Sequence, residues 1–395
     1  MVEPTAKRAL ISVFLWKLGD LDDFRDPFRI TYNFVEILFL VFSGLLCNCQ
    51  SYEEIVDFGQ LKIDWLRKFL PYKEGIPSHD TLRRILSILN TKQLEKVLAG
   101  ISSYSIELPE GTIINIDGKR ISRSATVKEQ QTKKIDGGKQ AVNMVNVYCS
   151  MFNSCLASIR VSSKAGEKNA IEDILTMLEL SRCLITLDAG YCYPDVAKQI
   201  VEAKADYLIG LKGNQPKTFE AAKDVLTNSK AIEVHQDEQE DSHGRLEQRT
   251  CTVLKISDLE QHFVDQYKEI FLRWLGLKYL IMVVCQRTVK AKNKTSAEAR
   301  FYISSSLLTA KQANQVVRGH WEVENSLHWI LDASMGEDKG RKRADNSAAN
   351  LSIFRKLAFN KLKAFDDPKV SMKRKMKKCA MSEAYLEKVL GITTH

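Results

Sequence analysis

The sequence lacks the features that mark a secreted or membrane protein. Met1–Leu15 has no basic start, no long apolar stretch and no small-residue cleavage site, so no export signal is expected and a cytoplasmic protein is. The most apolar segment, Val35–Cys47, contains Glu36 and is too short to span a bilayer, so it predicts a buried helix and no membrane partner. The 9 cysteines show no paired metal-binding spacing. Cys47 and Cys49 form only a C-x-C, and an odd number without a framework points to reduced thiols. Internal repeats, heptad runs and low-complexity tracts are also missing.

What is present is an ordinary globular composition. The chain has 395 residues, 44% hydrophobic and 27% charged, which is room for two or three domains with a well-buried core. The charge is unevenly placed. Lys339 to His395 holds 15 Lys+Arg against 5 Asp+Glu, while the whole chain carries a net +9, so the rest is close to neutral. A basic end points to a polyanionic partner, nucleic acid first, with a merely solvated tail as the other reading.

Up to about residue 100 the pattern is helical. Phe34–Leu46 predicts a buried helix, and Tyr52–Phe58 and Asp64–Leu70 predict short amphipathic ones. Thr81–Leu89 follows, with Ser78 or Asp80 as its cap. Short helices with tight connections are expected to form a helix-turn-helix-like domain over residues 1–105, either for binding DNA ends or for packing alone. Near residue 110 the pattern turns to strands. Thr112–Ile116, Ala141–Met151 and Cys155–Ser162 precede a helix at Glu167–Leu180. A strand at Leu184–Leu187, a helix at Pro194–Ala203 and a strand at Tyr207–Leu211 come next. That order predicts an α/β domain over 106–365, a mixed sheet with helices on its faces of the RNase H-like kind. Residues 219–275, with their acidic run Asp237–Asp241, read as a β-rich insertion containing a strand at Arg249–Leu254. Strands at Tyr279–Cys285 and Arg300–Ser304, a long helix at Thr309–Leu331 and another at Ala348–Leu362 complete it. Residues 366–395 are expected to be a basic tail around Lys373–Lys378.

Asp117 and Asp188 each end an apolar run, at the strand terminus where sheets of this kind carry their chemistry. An Asp beside a Gly is also an ordinary turn signal, and each alone is more often that. His320, Glu324 and His328 recur every four residues on the long predicted helix and so share a face, with Trp321 and Leu327 placed to bury it. A carboxylate on such a face is costly unless paired or metal-bound. Two other readings stay open, a solvent-facing polar stripe and a zinc site from His320, Glu324 and His328.

These motifs resemble those of the insertion-sequence DDE transposases, in the branch with the H-repeat-associated proteins. The resemblance runs along nearly the whole chain. It is carried by Phe58-Gly59, Gly75-Ile76-Pro77-Ser78-His79-Asp80-Thr81, Ile116-Asp117-Gly118-Lys119 and Leu187-Asp188-Ala189. It continues in Leu211-Lys212-Gly213-Asn214-Gln215, His243-Gly244-Arg245, Arg318 to Trp329, Leu331-Asp332, Glu337-Asp338 and Asn350. The chain departs from it at Asn143, where the family usually has His, at Gly190-Tyr191-Cys192-Tyr193 and at Lys164-Ala165-Gly166-Glu167. The resemblance implies a catalytic triad of Asp117, Asp188 and Glu324, with Glu322 as the near miss. It implies two Mg²⁺ or Mn²⁺ ions, Asp117 bridging them and Asp188 and Glu324 holding one each, and cleavage and strand transfer of DNA at element ends. Phosphodiester chemistry needs an activated oxygen and a stabilised leaving oxygen, which paired hard cations on carboxylates supply. DNA is the expected partner, in a complex with a homodimer. The expected DNA contacts are Arg83, Arg84, Lys119, Lys212, Arg318, His320, Lys373, Arg374, Lys375, Lys377 and Lys378. The competing function is an inactive or domesticated transposase-derived DNA-binding protein.

Overall fold

The computed structural model describes residues 9–124, 141–162, 166, 169–230, 232–242, 244–292, 294–339 and 345–392. Lys164, Ala165, Glu167 and His243 of the motifs above lie outside them. The fold is mixed α/β and divides into two compact units. A helical unit comprises Met1–Glu107, Gly118–Gly166 and Glu324–His395; a sheet unit comprises Leu108–Asp117 and Glu167–Val323. These units are discontinuous in sequence and cut across the expected stretches 1–105, 106–365 and 366–395. Strand β1 (Ile113–Arg120) gives its first five residues to the sheet unit and its last three to the helical unit, running past Asp117 rather than turning there.

The centre of the helical unit is the Phe34–Leu46 helix, apolar on every side and buried along almost its whole length. Asn33 caps it, accepting from the Glu36 amide at 3.2 Å. Glu36 is buried but satisfied, since it accepts the Tyr72 amide at 2.7 Å. The Ser347–Ala364 helix is likewise almost wholly buried and packs against Phe34–Leu46, against His79–Ile88 and against the antiparallel pair β2 (Asn143–Cys149) and β3 (Ser154–Val161). His79–Ile88 is capped by Ser78 and buries Leu82, Ile85 and Leu86 while Arg83 and Arg84 face out. Asn350 donates to the carbonyls of Leu86 and Leu89 at its far end, both at 2.9 Å.

The basic end is not a free tail. It forms the helices Met372–Met381 and Glu383–Leu390, with Met376, Cys379, Leu386, Val389 and Leu390 buried. Glu387 accepts the Trp65 indole N–H at 3.1 Å, and Lys62 pairs with Glu383. Apolar residues at helical spacing, masked by so many cations, give the segment a face to bury.

In the sheet unit, β1 lies parallel to β4 (Leu184–Leu187), and β4 parallel to β5 (Asp206–Leu211). The Pro194–Glu202 helix makes the β4–β5 crossover, and β4 is buried throughout, as a parallel strand covered on both faces should be. The insertion supplies β6 (Ile232–Gln236), β7 (Glu240–Ser242) and β8 (Arg245–Lys255), flanked by helices at Pro216–Asn228 and Gln261–Phe271. With β9 (Tyr279–Val289) and β10 (Lys294–Ser304) the strand order in this unit is β1-β4-β5-β10-β9-β8-β6, with β7 also on β8.

The expected long helix is broken. It runs as an α-helix from Ala310 to His320, opened by a Thr309–Gln312 capping box, and Ala313, Val316 and Val317 seat it on Leu184, Leu208, Val253 and Ile281. A π-helical turn follows at Val323–His328 and a short α-helix at Trp329–Ala333. Val323 and Leu327 are both fully buried, and the wider turn brings them inward while Glu324 stays exposed. Trp321, expected to bury the face of Glu324, is 43% exposed. Among the described residues no helix is long and apolar enough to cross a membrane.

Candidate active site

The parallel register of β1 and β4 pairs Ile116 with Leu187. Asp117 is the next residue on β1 and Asp188 the residue just past β4, so the backbone register sets the two on neighbouring strands about 4.8 Å apart. Asp188 is exposed and Asp117 half-buried.

Two residues back, Asn115 and Thr186 are also register partners, and they share a face with the two aspartates. Both are fully buried. The Thr186 hydroxyl donates to Asn115 Oδ1 at 2.7 Å, Asn115 Nδ2 donates to the Gly319 carbonyl at 3.3 Å, and His320 Nδ1 lies 2.8 Å from Thr186 Oγ1. With its one hydrogen given to Asn115, the Thr186 oxygen accepts from His320 Nδ1–H. That fixes the tautomer and leaves His320 Nε2 as an acceptor. Burial depresses the imidazole pKa to about 4, with Asp188 working the other way. A neutral ring with an acceptor nitrogen does not offer the positive charge that a phosphate contact would use. His320 is better described as a strut between helix and strand.

The Asp188 loop is held from β5. Asp188 Oδ1 accepts the Gly190 amide at 2.8 Å. A Cβ on Gly190 would stand 2.9 Å from that oxygen, and one on Gly210 would stand 3.1 Å from the Ala189 nitrogen, so both glycines permit close approach. Asn214 Nδ2 donates to the Ala189 carbonyl at 2.8 Å and Gln215 Nε2 to the Cys192 carbonyl at 2.9 Å. The Asn214-Gln215 motif thus pins the loop that carries Asp188. Sequence reasoning had no role for Asn115, Thr186, Asn214 or Gln215. Their signal was the quoted motif for the last two and polar residues inside apolar strands for the first two.

Glu324 lies in the helical unit, on the π-turn. Leu327 anchors that turn in the core, and His328 Nε2 lies 2.9 Å from Asn146 Nδ2, whose oxygen accepts from Ser158 at 2.8 Å. For the zinc reading, His320 turns its Nδ1 to Thr186 and His328 its Nε2 to Asn146. Among the described residues no group of three His, Cys, Asp or Glu gathers for a metal. Two aspartates on neighbouring strands still offer oxygen donors of the type suited to a hard divalent cation.

The expected DNA contacts divide by where their charges go. Arg83, Arg84, Lys212, Lys373, Arg374 and Lys377 are exposed, Arg83 pairing with Asp80 at 3.2 Å. Lys119 is 7% exposed and gives its ammonium to both oxygens of Asp332, at 2.7 and 2.6 Å. Lys375 is buried and caps the Ser347–Ala364 helix through the carbonyls of Leu362 and Phe365. These two ammonium groups are buried and bonded inside the fold. Lys378 pairs with Asp367 at 3.0 Å, and the Arg318 guanidinium is held by both carboxylate oxygens of Glu240.

Against this geometry, a family model described as "Transposase DDE domain" matches residues 108–361, and one described as "DDE_Tnp_1-associated" matches residues 15–100. The chain belongs to the DDE transposase family. This transposase is 34% identical over 379 residues, 94% of its length and 92% of the relative's, to "Putative transposase YncI" of Escherichia coli O157:H7. It is 30% identical over 376 residues, 94% of its length and 96% of the relative's, to "H repeat-associated putative transposase YhhI" of Escherichia coli K12. A solved piggyBac transposase synaptic complex with hairpin DNA is similar over 96% of this chain and 78% of that one, at TM-score 0.41 and 11% identity, too distant to carry an argument.

Proposed function

We propose that this transposase cuts DNA at the ends of an insertion sequence and transfers the freed strands to target DNA, using Asp117, Asp188 and Glu324 to hold two Mg²⁺ or Mn²⁺ ions. The observation that carries the reading is the register of β1 and β4, which sets Asp117 beside Asp188 in a chain of the DDE family. The order β1-β2-β3-helix-β4-helix-β5 supports an RNase H-like core. Glu324 follows His320, the strut onto Thr186, by four residues.

When bound, paired divalent cations activate the attacking oxygen and stabilise the leaving one. The protein supplies the frame. Asp117 inside β1 and Asp188 just past the end of β4 present carboxylate oxygens from a rigid sheet. Asn115, Thr186 and His320 fix the helix above them, and Asn214 and Gln215 fix the Asp188 loop. His320 Nε2 can accept a proton-bearing oxygen beside Asp188. Lys212 is the open cation for a neighbouring phosphate. Arg83 and Arg84 on His79–Ile88 read the element ends, and Lys373, Arg374 and Lys377 contact the backbone. The working complex is a homodimer on DNA in the cytoplasm.

The test is incubation with DNA carrying the flanking element ends, with Mg²⁺ or with EDTA. Cut ends in Mg²⁺ only, lost in Asp117→Asn, support the proposal. DNA bound but uncut in both would leave a transposase-derived DNA-binding protein.

A further inference from the structure

The helical unit contains a charged cluster that the reaction does not use directly. Lys119 bonds Asp332 through both carboxylate oxygens, and Glu337 Oε2 stands 3.6 Å from the same ammonium. Glu337 is 2% exposed, accepts from Ser352 at 2.7 Å, and lies 3.9 Å from the buried Lys356. Just beyond Lys119, the Ser122 amide and hydroxyl donate to the two oxygens of Asp338, at 2.9 and 3.0 Å. Arg123 reaches the Lys339 carbonyl at 3.4 Å. The segment 119–123 is therefore fastened at three points to the segment 332–339.

The first fastening is at a telling place. Asp332 belongs to the Trp329–Ala333 helix, which directly continues the π-turn carrying Glu324. A π-turn holds one residue more than the α-helix it replaces, and such turns persist only where the surroundings enforce them. Relaxation to α-helical register would swing Glu324 by roughly 100° against the helix that follows. Lys119, two residues after Asp117 on β1, clamps that helix.

We infer that Lys119 is a positioning residue for the Glu324 carboxylate, acting through Asp332 to hold the helix behind the π-turn in register. This rests on the reading of Asp117, Asp188 and Glu324 as the metal site. Buried ion pairs are poor stabilisers, because desolvation offsets most of their attraction, and apolar replacements of similar volume are often neutral. What the charged pair provides here is direction, two short hydrogen bonds that fix one geometry.

The experiment compares wild type, the double variant Lys119→Met/Asp332→Leu, Lys119→Arg and Asp332→Asn. Mn²⁺ binding to the protein is followed by electron paramagnetic resonance, beside thermal unfolding and the Mg²⁺ dependence of cleavage. Loss of a residue that orients a metal ligand weakens metal binding about 10–100-fold. The double variant and Asp332→Asn should show that loss with unfolding midpoints near wild type, and Lys119→Arg should restore most of the affinity. Asp332→Asn, nearly isosteric and at a half-exposed position, serves if the double variant does not fold. Wild-type Mn²⁺ affinity in Asp332→Asn or in the double variant overturns the inference. So does a loss that merely tracks the unfolding midpoint and is not rescued by arginine. Glu324→Gln separates the two levels. If it loses Mn²⁺ and the pair variants do not, only the positioning role fails; if it binds Mn²⁺ normally, the site itself fails and the role with it.

Discussion

The two units treat charge in opposite ways. In the sheet unit the ionic groups of interest stand at open strand ends, as Asp188 does, or on the surface, as Arg318 with Glu240 and Arg287 with Glu247 do. The buried polar groups beneath them, Asn115 and Thr186, are neutral and hydrogen-bonded. In the helical unit full charges go inside: Lys119, Glu337, Arg355 and Lys356 are all buried. Burial alone would raise the Glu337 pKa, yet Lys356, Lys119 and Arg355 together bring it below the usual carboxylate range. One Arg355 nitrogen and Glu337 Oε2 have no hydrogen-bond partner among the described residues. On the proposed function, a site that accepts cations and phosphates keeps its charges where water and ligands reach them. A site that fixes a backbone register can afford to enclose them.

The contrast predicts effects of different kind and size. The largest belongs to the open carboxylates. Asp117→Asn, Asp188→Asn and Glu324→Gln should each lower cleavage by roughly a thousandfold or more, with folding and DNA binding retained and Glu322→Gln mild. Wild-type cleavage by any one would remove that residue from the site. Next comes the enclosed cluster. Glu337→Ala leaves buried cations uncompensated and should cost about 3–5 kcal/mol in denaturant unfolding, whereas exposed Lys212→Ala should stay within about 0.5 kcal/mol. Equal costs for the two would erase the contrast.

Among the cations, changing Lys373, Arg374 and Lys377 to Gln should weaken binding to all DNA and flatten the salt dependence by about 0.9 per contact. Lys375→Gln should leave that slope alone and lower the unfolding midpoint, because its ammonium caps a helix. Arg83→Ala with Arg84→Ala should reduce the preference for element ends by about 1–3 kcal/mol. A different kind of effect concerns pH. Burial depresses His328 to about 3, with Lys119 and Lys356 adding to it. The unfolded chain takes up a proton near the ordinary histidine value of about 6.5 that the folded chain refuses. Stability should therefore fall as pH drops from 6.5 toward 3, with no contribution from this group above 6.5. A His328→Gln variant with an unchanged slope of unfolding midpoint against pH in that window would contradict this.

Much of the fold was legible where local signals are strong. Phe34–Leu46 and Leu184–Leu187 occupy the residues their apolar runs mark, and Ser78 caps its helix as expected. The start of the Ala310–His320 helix was legible in its Thr309 cap, but its end was not. A π-turn is chosen by which residues the surroundings bury, here Val323 and Leu327, and the i, i+4 spacing of His320, Glu324 and His328 reads the same either way. The helices after residue 371 were hidden because charge count outweighs a few spaced apolar residues in any composition argument. The apolar runs marked Asp117 and Asp188 singly, but neither the adjacency of β1 and β4 nor the engagement of Lys119 with Asp332 could be read from them. Nothing in a sequence says whether an ammonium has already been spent.

The bond from the Trp65 indole to Glu387 joins residues 322 apart in the chain, and Lys62 to Glu383 spans almost as much. A chain growing at about 5–20 residues per second needs roughly 16–64 s to travel from one end of that bond to the other. Throughout that interval the first helices are synthesised and waiting, with Trp65 lacking the carboxylate that satisfies it. A ribosome that stops early releases a chain whose opening helices never receive their closing partners. The helical unit is complete only once Glu383 and Glu387 have been made.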